Sequence, residues 1–351
     1  MHPGWLPMAH VVIDLNDQRP VWRQPPWFAQ EIRAALPSDW ELAVLDTPSE
    51  GTGDGSTRVH PAVLEAVADA RVYMGFGIAE EVLLAGPELG WVHSGSAGVT
   101  SSLTPEMLRR RGLIFTNTAG VHGPPMAEAV LGMILYFFRG FDFAVRSQRQ
   151  ARWDTDPFYA AHAPLRELSE STVGIIGLGG VGAEVAGRCH ALGARTLGLR
   201  RTGDAGPDGV EVLRGDDGFR RILAESDAVV ITTPDTPETR GLMDAHALAG
   251  MKEGAILVNV ARGSVVDEEA LVAALRNGGL RGAGLDVFAN EPLPEDSPLW
   301  AMPNVLITPH VSPVTRHFWR READVILHNL RCFLEGRTGK MRNVVDREAG
   351  Y

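Results

Sequence analysis

TVGIIGLGGVGAEVAGRCHALGARTLGLRR, residues 172–201, holds the reading that decides the fold. An apolar run reaches Gly177-Leu178-Gly179-Gly180-Val181-Gly182, a helical pattern follows and stops at Gly193, and a second apolar run ends in Arg200 and Arg201. Strand, glycine turn, helix and strand inside about 30 residues are what a dinucleotide-binding βαβ unit needs. Gly177 permits the tight turn, Gly179 lets the backbone approach a pyrophosphate, and Gly182 lets helix and strand pack closely. The helix start at Gly180 and Val181 would offer N–H groups and a positive dipole end to the phosphates. An NAD site usually carries a carboxylate at the end of the second strand, to bind the ribose 2′-hydroxyl. Here Arg200 and Arg201 stand there, and no acid comes before Asp204. Guanidinium groups bind a 2′-phosphate that a carboxylate would repel, so NADP(H) is favoured. NAD(H) is the alternative, with Arg200 then stacking on the adenine.

Outward from this unit the same alternation continues. Upstream, short apolar runs at 10–15, 42–46, 71–76, 91–94 and 113–117 read as strands, with helices at 61–70, 80–84 and 104–111. Downstream, strands are expected at 227–232, 255–260, 282–288 and 304–309. Helices fit at 216–224, 244–249 and 267–277, with Asp244 and Asp267 as N-caps. Residues 126–152 read as one long amphipathic helix, the run from Pro313 to Gly336 as a closing helix, and SEGTGDGST (49–57) as a mobile loop. Strand alternating with helix implies α/β domains, each a parallel sheet covered on both faces.

The chain has 351 residues, too many for one core at roughly 150 residues per domain. Its 44% hydrophobic and 22% charged content are those of a globular protein. A net charge of −11 argues against a nucleic-acid partner, which wants a basic face. Cys189 and Cys332 make no framework and read as free thiols in a reducing compartment. The opening MHPGWLPMAHVVIDL lacks a basic start and a long apolar stretch, so no signal peptide is expected. The most apolar helical run, 127–138, is about half a bilayer span. A soluble cytoplasmic protein without membrane contact is the expectation, with no metal site.

Ligands of open α/β sheets sit at the carboxyl ends of the strands. Arg262 follows the 255–260 strand, Glu291 lies a few residues past 282–288, and His310 ends the run at 304–309. Taken singly these are a surface arginine, a solvated loop glutamate and a capping histidine. Taken together, each past its own strand, they match what hydride transfer to a 2-oxo acid requires. That reaction needs a cation for the carboxylate and carbonyl, an acid for the developing alkoxide, and a partner keeping that acid charged.

VNVARGSVVDEEAL, GLDVFANEPLP and ITPH, with the glycine loop and TPDTPETRGLM, resemble the signature segments of the D-2-hydroxyacid dehydrogenase family, in that family's order. The likeness runs from about Trp91 to Ser312. It implies that Arg262 binds the substrate carboxylate and carbonyl, that His310 is the acid/base, and that Glu291 hydrogen-bonds it. A nearby carboxylate favours imidazolium, the form that donates a proton during reduction. SGSAGV (94–99) is similar to the loop whose backbone N–H groups meet the substrate carboxylate, which puts Ala97 and Gly98 at the site. Family members often have Asp where Thr100 stands, which leaves the local loop contacts open. Thr232, Pro234, Val260 and Ala261 would lie beside the cofactor, and Asp286 matches a position contacting the nicotinamide carboxamide. A plain strand-end turn carboxylate is the other reading of Asp286.

By the same resemblance the fold is a Rossmann NAD(P)-binding domain over 121–312 and a flavodoxin-like substrate domain from 1–120 and 313–351. Both are doubly wound, with a cleft between them whose closure excludes water. A homodimer formed through 126–152 is implied. Trp319, with His317 and Phe318, could line the pocket, although ordinary helix packing is favoured. L-lactate and malate dehydrogenases place the glycine loop near the N-terminus, unlike Gly177. Formate dehydrogenases carry glutamine at the acid's partner, and Glu291 speaks against them. Dinucleotide-sensing co-repressors share the triad; the acidic charge and lack of basic segments lean toward an enzyme.

Overall fold

Short segments of three to six residues, most of them rich in Val, Ile and Leu, form the strands of a computed structural model that describes residues 10–46, 59–203 and 206–350. The expected mobile loop at 49–57, most of the opening segment and Asp204 lie outside the described residues. The chain divides into two units, one running to His122 and resuming at Val314, the other Gly123–Pro313.

In the first unit the strands are β1 (His10–Asp14), β2 (Glu41–Val44), β3 (Val72–Gly75), β4 (Trp91–Ser94) and β5 (Ile114–Asn117). They pair in parallel in the order β2-β1-β3-β4-β5, the flavodoxin-like winding. Expected and observed strands agree within one or two residues. The helix Pro26–Ala35 was not expected; Pro26 starts it, and Phe28 and Ile32, one turn apart, bury its inner face. The closing helix Phe318–Leu334 buries Phe318, Trp319, Ile326 and Leu330 against this unit's core. Trp319 is 6% exposed and packs edge-on against Phe28 and Phe318, as helix packing requires.

In the second unit the strands are β6 (Thr172–Ile176), β7 (Arg195–Leu199), β8 (Glu211–Leu213), β9 (Ala228–Ile231), β10 (Ala255–Asn259), β11 (Leu280–Leu285) and β12 (Val305–Ile307). All pair in parallel, in the order β12-β11-β10-β9-β6-β7-β8, the Rossmann order with one further strand. The winding reverses between β6 and β9. β8 has three residues, too few for the sequence pattern to register. Asp244 and Asp267 do cap their helices, accepting from Ala247 N at 2.8 Å and Ala270 N at 3.0 Å.

The single helix expected over 126–152 is instead two, Gly123–Phe138 and Phe141–Arg149. Gly140 parts them at φ 67, and a Cβ there would meet Leu165 at 2.8 Å and Phe158 at 3.0 Å. The first helix is a core element: Val130, Met133, Ile134 and Phe137 are buried beside the sheet. Among the described residues no helix is long and apolar enough to cross a membrane.

Candidate active site

An all-parallel sheet brings the carboxyl ends of its strands to one edge, and the second unit gathers its candidate residues there. After β6, Gly177 takes φ 102, and its N–H and that of Leu178 donate to Leu199 O at 3.1 and 2.9 Å. A Cβ on Gly182 would lie 2.0 Å from Gly177 O, so the helix Gly180–Ala191 reaches the turn only through a glycine. Gly179 faces open space, with nothing within 4 Å of where its Cβ would be. It is also the helix N-cap and brings no side-chain cap, so the first-turn N–H groups at Gly180 and Val181 are not satisfied by one. Open space before an uncapped helix start fits a pyrophosphate. Thr232, just past β9, steadies the turn by donating to Gly177 O at 2.7 Å.

Arg200 directly follows β7, half-buried, its N–H on Leu213 O at 3.0 Å; Arg201 is exposed. Glu238, on the loop past β9, is held below the usual carboxylate range by the Thr236 hydroxyl, its own N–H and the Arg201 charge. Asp235 on that loop is depressed chiefly by Arg240, with Ser264 and Arg262 contributing.

Past β10, the Asn259 amide shapes the turn through Val260 and Ala261: its Oδ1 accepts from Ala261 N at 3.0 Å and its Nδ2 donates to Arg262 O at 3.0 Å. Arg262 is half-buried and donates to Ala261 O at 2.7 Å. The next residue, Gly263, runs so close to the following turn that a Cβ would be 1.9 Å from the Phe288 carbonyl carbon. Phe288 N in turn donates to Glu291 Oε1 at 2.9 Å. Glu291 Oε2 lies 2.8 Å from His310 Nδ1, and each side chain is 35% exposed. With Nδ1 on the carboxylate, Nε2 is the nitrogen left to exchange a proton. Arg262, Glu291 and His310 therefore occupy successive positions past the adjacent strands β10, β11 and β12.

His310 has a left-handed backbone, φ 53. Asp286, fully buried at the end of β11, holds it: its carboxylate accepts from Thr308 Oγ1 at 2.5 Å, Val311 N at 2.9 Å and Ser312 N at 3.0 Å, and its carbonyl from His310 N at 2.8 Å. Sequence reasoning missed this clamp and that of Asn259, because both act on loop backbone and leave no periodic trace.

Ala97 and Gly98 belong to the first unit, on the loop past β4. Ala97 is exposed and Gly98 half-buried. Ser94 Oγ anchors the loop, accepting from Gly77 N and Ser96 N, each at 3.2 Å. Thr100 opens a short 3-10 turn, Thr100–Ser102.

The family model described as D-isomer specific 2-hydroxyacid dehydrogenase, NAD binding domain, matches residues 131–312, just over half of the chain. A D-3-phosphoglycerate dehydrogenase of Mycobacterium leprae is 35% identical over 313 residues, 88% of this chain and 56% of that protein. The chain thus spans about half the length of the phosphoglycerate dehydrogenases it matches. A glyoxylate/hydroxypyruvate reductase A of Escherichia fergusonii is 36% identical over 239 residues, 67% of this chain and 74% of that protein. A solved D-isomer specific 2-hydroxyacid dehydrogenase from Xanthobacter autotrophicus Py2, in complex with NADPH and MES, has a TM-score of 0.78 at 33% identity, covering 98% of this chain and 99% of that one. With two parallel-sheet α/β units, the glycine turn and these likenesses in agreement, the chain belongs to the D-isomer specific 2-hydroxyacid dehydrogenase family.

Proposed function

We propose that the chain is an oxidoreductase that interconverts a small 2-oxo acid and its D-2-hydroxy acid with NAD(P)(H), NADP(H) being favoured. The observation that carries this reading is the His310–Glu291 pair at 2.8 Å, on the same sheet edge as the glycine turn. When bound, the cofactor supplies or takes the hydride at the carbon beside the carboxylate. The Arg262 guanidinium pairs with the substrate carboxylate and polarises the carbonyl. His310 Nε2 gives its proton to the oxygen as it becomes an alkoxide, and Glu291 on Nδ1 fixes the ring and the tautomer. Ala97 and Gly98 would offer backbone N–H groups to the same carboxylate.

For the cofactor, Gly177, Gly179 and Gly182 shape the turn, and Gly180 and Val181 donate to the pyrophosphate. Arg200 and Arg201 take the 2′-phosphate, in keeping with the NADPH complex of the Xanthobacter relative. Thr232, Pro234, Val260 and Ala261 border the nucleotide. For Asp286 the geometry favours a clamp on His310 over a carboxamide contact. Substrates of glyoxylate or hydroxypyruvate size are the first candidates, from the name of the Escherichia relative. We assign a homodimer contact to the 126–152 segment, where Phe141 is 51% exposed, with the exposed Trp153 and Tyr159 following it in the chain. Cys189 and Cys332 are unpaired and buried, and burial pushes the Cys189 thiol up to about 12, consistent with inert thiols in the cytoplasm.

His310→Asn tests the assignment. We expect kcat to fall by on the order of 10²–10⁴ with cofactor affinity little changed. An unchanged kcat removes His310 from the mechanism, and tight cofactor binding without turnover in the parent protein favours a dinucleotide sensor.

A further inference from the structure

The Gly98 N–H can meet a carboxylate only if its peptide plane is turned the right way, and the first unit contains what turns it. Asn117 ends β5 at 5% exposure and donates from Nδ2 to the Ala97 carbonyl at 2.9 Å. The Ala97–Gly98 peptide is trans, so its N–H points opposite to its carbonyl. Drawing the carbonyl onto Asn117 therefore presents the Gly98 N–H on the side away from Asn117.

The Asn117 amide has a defined sense, because its Oδ1 accepts from Ala119 N at 3.1 Å, which leaves Nδ2 for Ala97. Its backbone is held as well. Asn117 N donates to Asn343 O at 3.2 Å, and Asn343 Nδ2 donates to Asn117 O at 3.1 Å and Ala119 O at 2.8 Å. Asn343 does this from a left-handed backbone, φ 56, which asparagine tolerates better than most residues. Its neighbour Arg342 is gripped on both backbone groups by Asn329 of the closing helix, at 3.0 and 2.7 Å. Asn329 is fully buried. A relay of amides thus runs from the closing helix, through the segment beside β5, to the exposed loop.

We propose that Asn117, set by Asn343, is a positioning residue that aims the Gly98 N–H at the substrate carboxylate; this rests on the reductase reading given above. Asn117→Asp is nearly isosteric and keeps the acceptor for Ala119, but it sets a carboxylate oxygen against the Ala97 carbonyl. The readouts are KM and kcat for glyoxylate, the NADPH Kd and the thermal midpoint. The expected result is a KM raised about tenfold or more, with kcat within about threefold and NADPH affinity within about twofold, the signature of lost substrate binding. Asn343→Gly keeps the left-handed backbone without strain and removes two donated bonds, so a smaller KM rise of about threefold is expected. It carries the test alone if Asn117→Asp does not fold. An unchanged KM in a folded variant overturns the proposal, as does a KM that rises only in step with the NADPH Kd. Absence of turnover in the parent protein with every 2-oxo acid overturns the reductase reading instead, before any variant is made.

Discussion

His310 adopts a left-handed backbone that costs a non-glycine residue on the order of 1 kcal/mol, and bonds from its flanking residues to the buried Asp286 carboxylate offset that cost. An asparagine at 286 would keep one oxygen and turn an NH₂ toward N–H donors, releasing the loop. We expect Asp286→Asn to lower kcat by about 10- to 100-fold with the NADPH Kd within about threefold, because displacing a catalytic group by about 1 Å costs on that order. Stopped-flow kinetics with fluorescence titration of NADPH checks this; a Kd weakened more than kcat would restore the carboxamide role. Arg262, Glu291 and His310 were legible because a strand end is a pattern and each sits just past one. Asn259, Asn117 and the clamp by Asp286 were not, because their partners are backbone atoms of turns whose approach only the folded chain brings about.

At the scale of elements, the strands were readable as apolar runs and Asp244 and Asp267 as caps, since both signals are local. The break at Gly140 was not, because a lone glycine inside a helical pattern is usually tolerated. What decides it is tertiary: Leu165, Phe158 and Phe143 close around the position. The helix Pro26–Ala35 escaped notice because it is short and only Phe28 and Ile32 along it are fully buried. Gly140→Ala forces a side chain into a left-handed backbone with a neighbouring carbon at 2.8 Å. A loss of about 1–3 kcal/mol in unfolding free energy is expected, read from the urea midpoint. An unshifted midpoint would mean that the two helices are parted by something other than this residue.

Across the molecule, the second unit keeps its candidate chemistry at the carboxyl edge of the sheet and an ionic tie at the opposite edge. Asp227, just before β9, is 4% exposed there. Burial alone would push its carboxyl up, but Lys252 at 2.6 Å, the Thr172 N–H at 2.9 Å and Arg166 hold it below the ordinary value. A depressed folded value means this stabilisation is present above the unfolded value near 4 and is lost as pH falls through the folded one. Asp227→Asn should therefore lower unfolding free energy at pH 7 by about 1–3 kcal/mol, with the gap to the parent closing below about pH 4. Denaturant titrations at pH 7 and pH 3 measure it, and a gap independent of pH would contradict the assignment. The parallel sheets of both units followed from strand–helix alternation, whereas the return of the chain to its first unit was expected from the family resemblance alone, because the closing helix reads like any amphipathic helix. Catalysis itself is tested most directly by following oxidation of NADPH and of NADH with a panel of 2-oxo acids, from glyoxylate and hydroxypyruvate to longer chains. Turnover with at least one small 2-oxo acid, faster with NADPH, is the predicted result; no oxidation of either cofactor with any acid on the panel would contradict it.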